Sequence, residues 1–313
     1  METVKNFASW MTLGTVLLAL PVAALAEGQG SASQPKAESK DDIVEVADVK
    51  DVTKVKAGVF DSASWSNDWD FPAVDRVINL MTTRPVRKMS LLATFDHRAY
   101  EPLADYPWRD FLGLDFGLLK IGLGLRFGIF DVWDVGIYRM NGTMERFDTY
   151  QFDTRWRFLE QDRHYINMAV RVGVDWFYQP SAPDAFGYFG QLSLDYTAFR
   201  RWLIGVQVAF ASNSSNDHKT MADTNYSLAV GLYSSLRIAT FMAWDIEGMY
   251  AVSGYGEQYP ALSTSIKFIT NRHTFALVVS NTQYITADGI VTNTWRDFSQ
   301  VIFGFSITRE WNF

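Results

Sequence analysis

The chain of 313 residues contains no cysteine. It therefore forms no disulfide, carries no lipid on an N-terminal cysteine, and lacks the Cys-x-x-Cys-His motif that attaches c-type haem. Charged residues make up only 20% of the chain, yet the apolar runs of about 20 residues that a bundle of membrane helices needs are missing. The net charge is −7 and both signs are interspersed, so the sequence offers no basic stripe and we expect no nucleic-acid partner.

The first 26 residues have the features of a secretory signal peptide. They contain Lys5, an apolar core over Trp10–Leu20, and Ala24-Leu-Ala as a small-residue cleavage site. We therefore expect residues 1–26 to be removed on export, as in a Gram-negative-type cell envelope.

Residues 27–87 are polar and charge-rich up to about Ala57, which predicts a flexible periplasmic tail. This tail either stays disordered or orders on a periplasmic partner. Its last part, Trp65–Arg87, either enters the barrel described below as a plug or simply leads into the first strand. The sequence leaves both alternatives open.

Beyond Lys88, apolar and polar residues alternate with a period of two, in segments separated by turn residues. In INMAVRVGVDWF (166–177), every second residue is apolar, and Arg171 and Asp175 lie on the opposite face. The segments that we predict as strands are 88–98, 118–128, 132–142, 146–159, 164–178, 185–198, 201–213, 223–238, 240–253, 259–271, 273–283 and 298–311.

Alternation alone would also fit a soluble sandwich or a lipocalin-like barrel. Here, however, the apolar face is large and aromatic, as in Phe152 and Trp156, and the opposite face carries charges in mid-strand, such as Arg155. An arginine that faces lipid at the bilayer midplane costs about 2–4 kcal/mol, so these arginines should point into the lumen. The sequence therefore predicts an all-β protein: a transmembrane antiparallel β-barrel of the cell outer membrane over residues 88–313, with about 12 strands (alternatives 10 or 14) and a flexible N-terminal tail.

Two further outward sets support this interpretation. Aromatic residues near the strand ends predict interfacial girdles: Trp133, Tyr150, Trp156, Trp176, Trp202, Tyr226, Tyr250 and Trp311. The last strand ends in a row that resembles the signal read by the outer-membrane assembly machinery: Phe303, Phe305, Ile307, Trp311 and Phe313. We therefore expect outer-membrane lipid and that machinery as partners.

The inward charged residues are the candidate functional set. They are Lys120, Arg126, Asp134, Asp153, Arg155, Arg157, Arg171, Asp175, Asp195, Asp245, Glu247 and Lys267. Such groups would line a watery path and tune its solute preference in a channel. In a closed barrel they would instead pair with one another, and twelve strands lie between the sizes that favour a filled and an open lumen.

Signs of catalysis are weak. Asp245 and Glu247 lie two apart on the inward face, which is compatible with acid/base work but also with a simple polar lining. The four histidines have no metal-ligand spacing, and none has a serine two positions on, as a barrel phospholipase would need. We therefore predict no catalytic residue, no metal and no cofactor.

Three runs carry a resemblance to a known family: RVINLMTTRPVRKMSLLATFDHR, FLGLDFGLLKIGLGLRFGIFDVWDVGIYR and YQFDTRWRFLEQ. From Val74 to the end the chain resembles an uncharacterised family of bacterial outer-membrane β-barrels, a domain of unknown function. The chain departs from the family at Ala99-Tyr100, where an aromatic residue and a glycine are expected. The resemblance implies fold and location, and no substrate.

The sequence thus favours a passive, porin-like channel for small polar or charged solutes. The alternative is a non-conducting barrel that docks a periplasmic or surface partner, and an outer-membrane hydrolase is a remote third.

Overall fold

The computed structural model describes residues 75–104, 119–142, 147–180, 182–215, 225–270 and 272–313. All of them belong to one compact unit, Lys56–Phe313. The predicted signal peptide and most of the predicted tail lie outside the described residues. The described residues form one closed antiparallel barrel of twelve strands. Among them, no helix is both long and apolar enough to cross a membrane.

The strands follow one another around the barrel in sequence order, and β1 closes it by pairing with β12. They are β1 Ser90–Arg98, β2 Lys120–Phe130, β3 Trp133–Met140, β4 Asp148–Leu159, β5 Asn167–Tyr178, β6 Ala185–Ala198, β7 Trp202–Ser212, β8 Tyr226–Ala239, β9 Met242–Gly254, β10 Ala261–Ile269, β11 His273–Ser280 and β12 Ile302–Asn312. Each predicted segment overlaps one strand, so the predicted twelve-stranded barrel is confirmed.

The predicted ends of the last two strands are wrong. β11 ends at Ser280 rather than 283, and β12 begins at Ile302 rather than 298. The reason is that residues 281–301 turn away from the wall: they are mostly buried and contain the short helix α2, Ala287–Ile290. A second short helix, α1, Gln161–His164, connects β4 to β5.

Side chains alternate between the lumen and the outer face, as period-two strands require. In β5, Arg171 lies opposite Arg155 of β4 and Gln191 of β6, and all three are buried. Val172, the next residue, is 47% exposed. The apolar face of INMAVRVGVDWF is therefore the outer one.

Residues 75–87 lie inside the barrel and are called the lumen segment below. It begins as a tight hairpin, in which Arg76 bridges to Met81 and the Val77 N–H donates to the Leu80 carbonyl (2.9 Å). Apart from Pro85 and Arg87, every residue of the segment is buried.

The lumen segment meets the β11–β12 connection in the middle of the barrel. Val77, Ile78 and Leu80 from the segment share one apolar cluster with residues Ala287 and Ile290 of α2. The wall makes room for them with small inward residues: Ala209, Ala211, Ala229, Ala261 and Ala276. A cavity of about 30 Å³ lies between the lumen segment and strands β1–β5, is lined in part by charged side chains, and has room for roughly one or two waters.

Gly122 of β2 faces the lumen beneath the ring of Tyr138. A Cβ at this position would lie 1.8 Å from Tyr138 Oη, which donates a hydrogen bond to Asp96 (2.7 Å). Gly122→Ala should therefore displace the ring and lower the free energy of unfolding by about 1–3 kcal/mol, as overpacking does.

The control for this prediction is Gly190→Ala on β6, where an added Cβ meets nothing within 4 Å. Both variants are compared by denaturant unfolding of the barrel in lipid vesicles. Equal stability of Gly122→Ala and Gly190→Ala would contradict the packing role of Gly122.

Candidate functional site

The carboxylates of the barrel wall bind the lumen segment. Glu247 of β9 shows this most clearly, because its carboxylate accepts hydrogen bonds from three successive backbone N–H groups, those of Ile78 (3.0 Å), Asn79 (2.9 Å) and Leu80 (3.0 Å). The hairpin turn points these three N–H groups towards the same carboxylate, so one side chain accepts all three hydrogen bonds. Hydrogen bonds to a charged group are worth about 1.5–3 kcal/mol each, so Glu247 acts as a latch.

Asp195 of β6 binds the next part of the segment. It accepts hydrogen bonds from the N–H (2.9 Å) and the hydroxyl (2.8 Å) of Thr83, and two wall residues, Asn167 and Tyr233, donate to it as well. The carbonyl of Met81 in turn accepts hydrogen bonds from Ser193 Oγ and Gln207 Nε2. The segment is thus held by both its donors and its acceptors.

Asp134 of β3 binds the end of the segment and ties it to two arginines. It accepts a hydrogen bond from the Val86 N–H (2.7 Å) and salt bridges from Arg126 and from Arg155 Nη2 (2.6 Å). The other terminal nitrogen of Arg155 donates to two backbone carbonyls of the segment, those of Asp75 (2.8 Å) and Thr82 (3.2 Å).

Two wall residues that the sequence analysis omitted complete this set. Asp96 of β1 forms a salt bridge with Arg76 (2.5 Å), and Arg98 Nη2 donates to the Asn79 side-chain oxygen (3.2 Å). Both lie on the polar face of β1, so the alternation that identified the other lumen residues could have found them. Lys267 of β10 adds a hydrogen bond to the Val77 carbonyl (2.9 Å).

Three of the predicted lumen residues, Arg126, Asp153 and Arg171, bind one another. Asp153 forms salt bridges with Arg126 and with Arg171 (2.7 Å). Arg171 also donates to two glutamine side chains, and Gln151 donates to Asp175 (2.8 Å). Replacing one member of such a buried network leaves the charge of its partner uncompensated, so a single substitution in the network is strongly destabilising.

Eleven of the twelve predicted lumen residues are buried, and Arg157 is half-buried. Arg157 lies at the end of β4 and forms a salt bridge with Glu160 (2.8 Å). Lys120 lies near the other end of the barrel and donates to the Asn141 carbonyl (3.0 Å). The structure therefore buries ten of the set within the lumen in addition to Lys120, which lies at the first position of β2, and leaves Arg157 half-buried.

Asp245 and Glu247, the two acidic residues whose spacing is compatible with acid/base chemistry, both bind other groups of the chain. Asp245 accepts from Ser265 (3.0 Å) and forms a salt bridge with Lys267 (2.8 Å), while Glu247 holds the lumen segment. In the part of the chain that is described, no group of three or more acidic or histidine residues is arranged to hold a metal ion.

The predicted girdle residues lie on the outward face at the strand ends, and Trp133 and Trp156 are paired across β3 and β4. Tyr150 and Trp176 are also neighbours, with ring centroids 4.9 Å apart. Trp202 differs from the others because it is only 7% exposed. Its indole N–H donates to Ser234 Oγ (2.8 Å), as that of the unpredicted Trp244 does to Thr264. Such bonds satisfy a polar group that lipid cannot.

The predicted C-terminal row also lies on the outward face. Phe303, Phe305, Ile307 and Trp311 are half-buried, and Phe313 is exposed. Recognition of this row by the assembly machinery stays a prediction.

A closed antiparallel barrel with an apolar outer face and a charged interior defines a transmembrane β-barrel. The chain belongs to the family described as "Membrane bound beta barrel domain (DUF5777)", whose model matches residues 73–311. The resemblance drawn from the sequence is thereby confirmed. No curated protein matches the chain.

Solved structures of outer-membrane proteins are similar to this chain at low sequence identity. The COG4313 outer membrane channel from Pseudomonas putida F1 is 9% identical, with 73% of this chain and 98% of that chain covered and a TM-score of 0.47. The NanC porin is 11% identical (71% and 100% covered, TM-score 0.41). An active-site mutant of outer membrane phospholipase A from Escherichia coli is 11% identical (79% and 97% covered, TM-score 0.42). These likenesses concern the fold alone.

Proposed function

We propose that the protein is an outer-membrane barrel whose pathway for small polar or charged solutes is held closed by the lumen segment. One observation carries this proposal: four wall carboxylates, those of Asp96, Asp134, Asp195 and Glu247, each bind the segment rather than free solute. These polar contacts can be exchanged for water, so release of the segment would expose a charged lining of the kind that channels use.

The alternative is a permanently closed barrel that docks a periplasmic partner through the residues preceding the lumen segment. The apolar cluster around Val77, Ile78 and Leu80 favours this alternative, because releasing the segment exposes these side chains to water. The two proposals differ in one measurable property, which is whether the barrel conducts once the segment is gone.

Planar-bilayer recordings distinguish them. The full-length protein should show little conductance, and a variant in which residues 76–84 are replaced by a glycine–serine linker of equal length should show stable single-channel steps. In that variant, a further Arg171→Glu change should shift the ion preference towards cations, because it reverses a charge on the lumen wall.

Folding is checked by the heat-dependent shift in electrophoretic mobility that intact barrels display. A folded linker variant without conductance would contradict the channel and support the docking barrel. Equal conductance of the full-length protein and the linker variant would show that the lumen segment does not close the path.

A further inference from the structure

The outward face of β12, β1, β2 and β3 carries a groove of about 520 Å³. Its floor is Ala93, which is smaller than Leu91 and Phe95, the residues on either side of it on the same face of β1. The register places Arg309, Ala93, Leu125 and Ile137 in one row across the four adjacent strands. The groove is therefore an apolar trough with a cation at one end.

Arg309 is the unusual member of this row. It is exposed, and it interrupts the outward apolar row of β12. Its guanidinium carbon lies 5.1 Å from the ring centroid of Trp311, and within the described parts of the chain it forms no salt bridge with a carboxylate. Its partner on the neighbouring strand β11 is His273. This end of the groove thus presents positive charge.

The opposite end of the groove is different. Arg139 and Tyr150 line it, but Arg139 is already paired with Asp148 (2.6 Å) and lies over the Tyr150 ring (5.5 Å). The charge of Arg139 is therefore compensated within the chain, whereas that of Arg309 is available to a ligand.

The position of Arg309 along the strand fits a membrane interface. It lies three residues before Asn312, the last residue of β12, which is about 10 Å at the usual strand rise. Trp311, a residue type that prefers the headgroup level, lies beside it. At that depth a guanidinium can reach lipid phosphates while its stem and the groove remain in hydrocarbon.

We propose that this groove binds an anionic phospholipid. The Arg309 guanidinium takes the phosphate in the forked geometry that suits phosphate oxygens, and one acyl chain lies along Ala93, Leu125 and Ile137. The site lies outside the lumen, so it does not depend on whether the barrel conducts.

Native mass spectrometry of the full-length protein tests this. Phosphatidylglycerol and phosphatidylethanolamine with identical acyl chains are added to the protein in detergent. The protein should retain phosphatidylglycerol preferentially, and Arg309→Gln should weaken that retention by about tenfold, since it removes the charge-assisted bonds. Arg309→Lys keeps the charge without the fork and should lie between the two.

Two further variants locate the ligand. Arg139→Gln is the matched control, an exposed arginine on the same groove, and should retain phosphatidylglycerol as the natural chain does. Ala93→Phe fills the floor and should weaken retention of both lipids. Folding of each variant is checked by heat-dependent mobility.

Three results would overturn the proposal. These are no preference for phosphatidylglycerol in the natural chain, equal losses in Arg309→Gln and Arg139→Gln, or displacement of the lipid by inorganic phosphate alone, which would make the site one for a free anion.

Discussion

Glu247→Ala should open the barrel to ions while leaving the twelve strands in place. The change removes the acceptor of three backbone N–H groups at once, those of Ile78, Asn79 and Leu80. Each buried donor left without a partner costs about 1–3 kcal/mol, so the hairpin should prefer water outside the lumen. In planar bilayers we expect frequent channel openings from the variant, at the conductance of the linker variant, where the natural chain is nearly silent.

The absence of cysteine in the chain offers a direct control. The side chains of Asn79 and Ser263 meet at 3.2 Å, so Asn79→Cys with Ser263→Cys brings one thiol of the segment close to one thiol of the wall. Mass spectrometry of the unreduced protein shows whether the single disulfide forms. Added to Glu247→Ala, this disulfide should abolish conductance under oxidising conditions, and a reductant should restore it. Conductance that persists with the disulfide formed would mean that ions bypass the lumen segment.

Arg155→Met should lower the free energy of unfolding of the barrel substantially. The guanidinium is 1% exposed and joins Asp134 to the carbonyls of Asp75 and Thr82. Removing one partner of a buried ion pair typically costs about 3–5 kcal/mol, and we expect the lower end because Arg126 still compensates Asp134. The measurement is unfolding of the barrel by guanidinium chloride in lipid vesicles, with tryptophan fluorescence as the readout.

The matched control is Arg139→Met, which breaks the exposed pair with Asp148. The side chains of that pair are 45% and 24% exposed, and such pairs contribute at most about 1 kcal/mol. If Arg139→Met lowered the free energy of unfolding as much as Arg155→Met does, burial would not explain the difference in strength between these two ion pairs.

Much of the barrel could be predicted from the sequence because strand alternation is a local property. Residues two apart share a face whatever their distant partners, so the positions of Arg171, Asp195 and Glu247 on the inner wall follow from their neighbours in sequence. The same argument applies to Asp96 and Arg98, because both lie on the polar face of β1.

The occupant of the lumen could not be predicted in this way. Ile78 and Glu247 are 169 positions apart, and their contact is made by a backbone N–H group, which every residue except proline carries. The pattern of side chains in the sequence therefore does not predict which residues form such a backbone hydrogen bond. Plug and lead-in therefore both remain open for Trp65–Arg87 on the sequence alone, and residues 281–283 at the start of the inward-folded β11–β12 connection are compatible with strand.

The place where the lumen segment joins the wall sets a limit on any opening. Val86, its last buried residue, is separated from β1 by Arg87, Lys88 and Met89, and Met89 has a left-handed backbone with φ of 54°. Because only three residues connect the segment to β1, a displaced segment stays at a high effective concentration beside its binding site. Re-entry is then intramolecular, which predicts brief, flickering currents from Glu247→Ala and sustained ones only when the segment itself has been replaced.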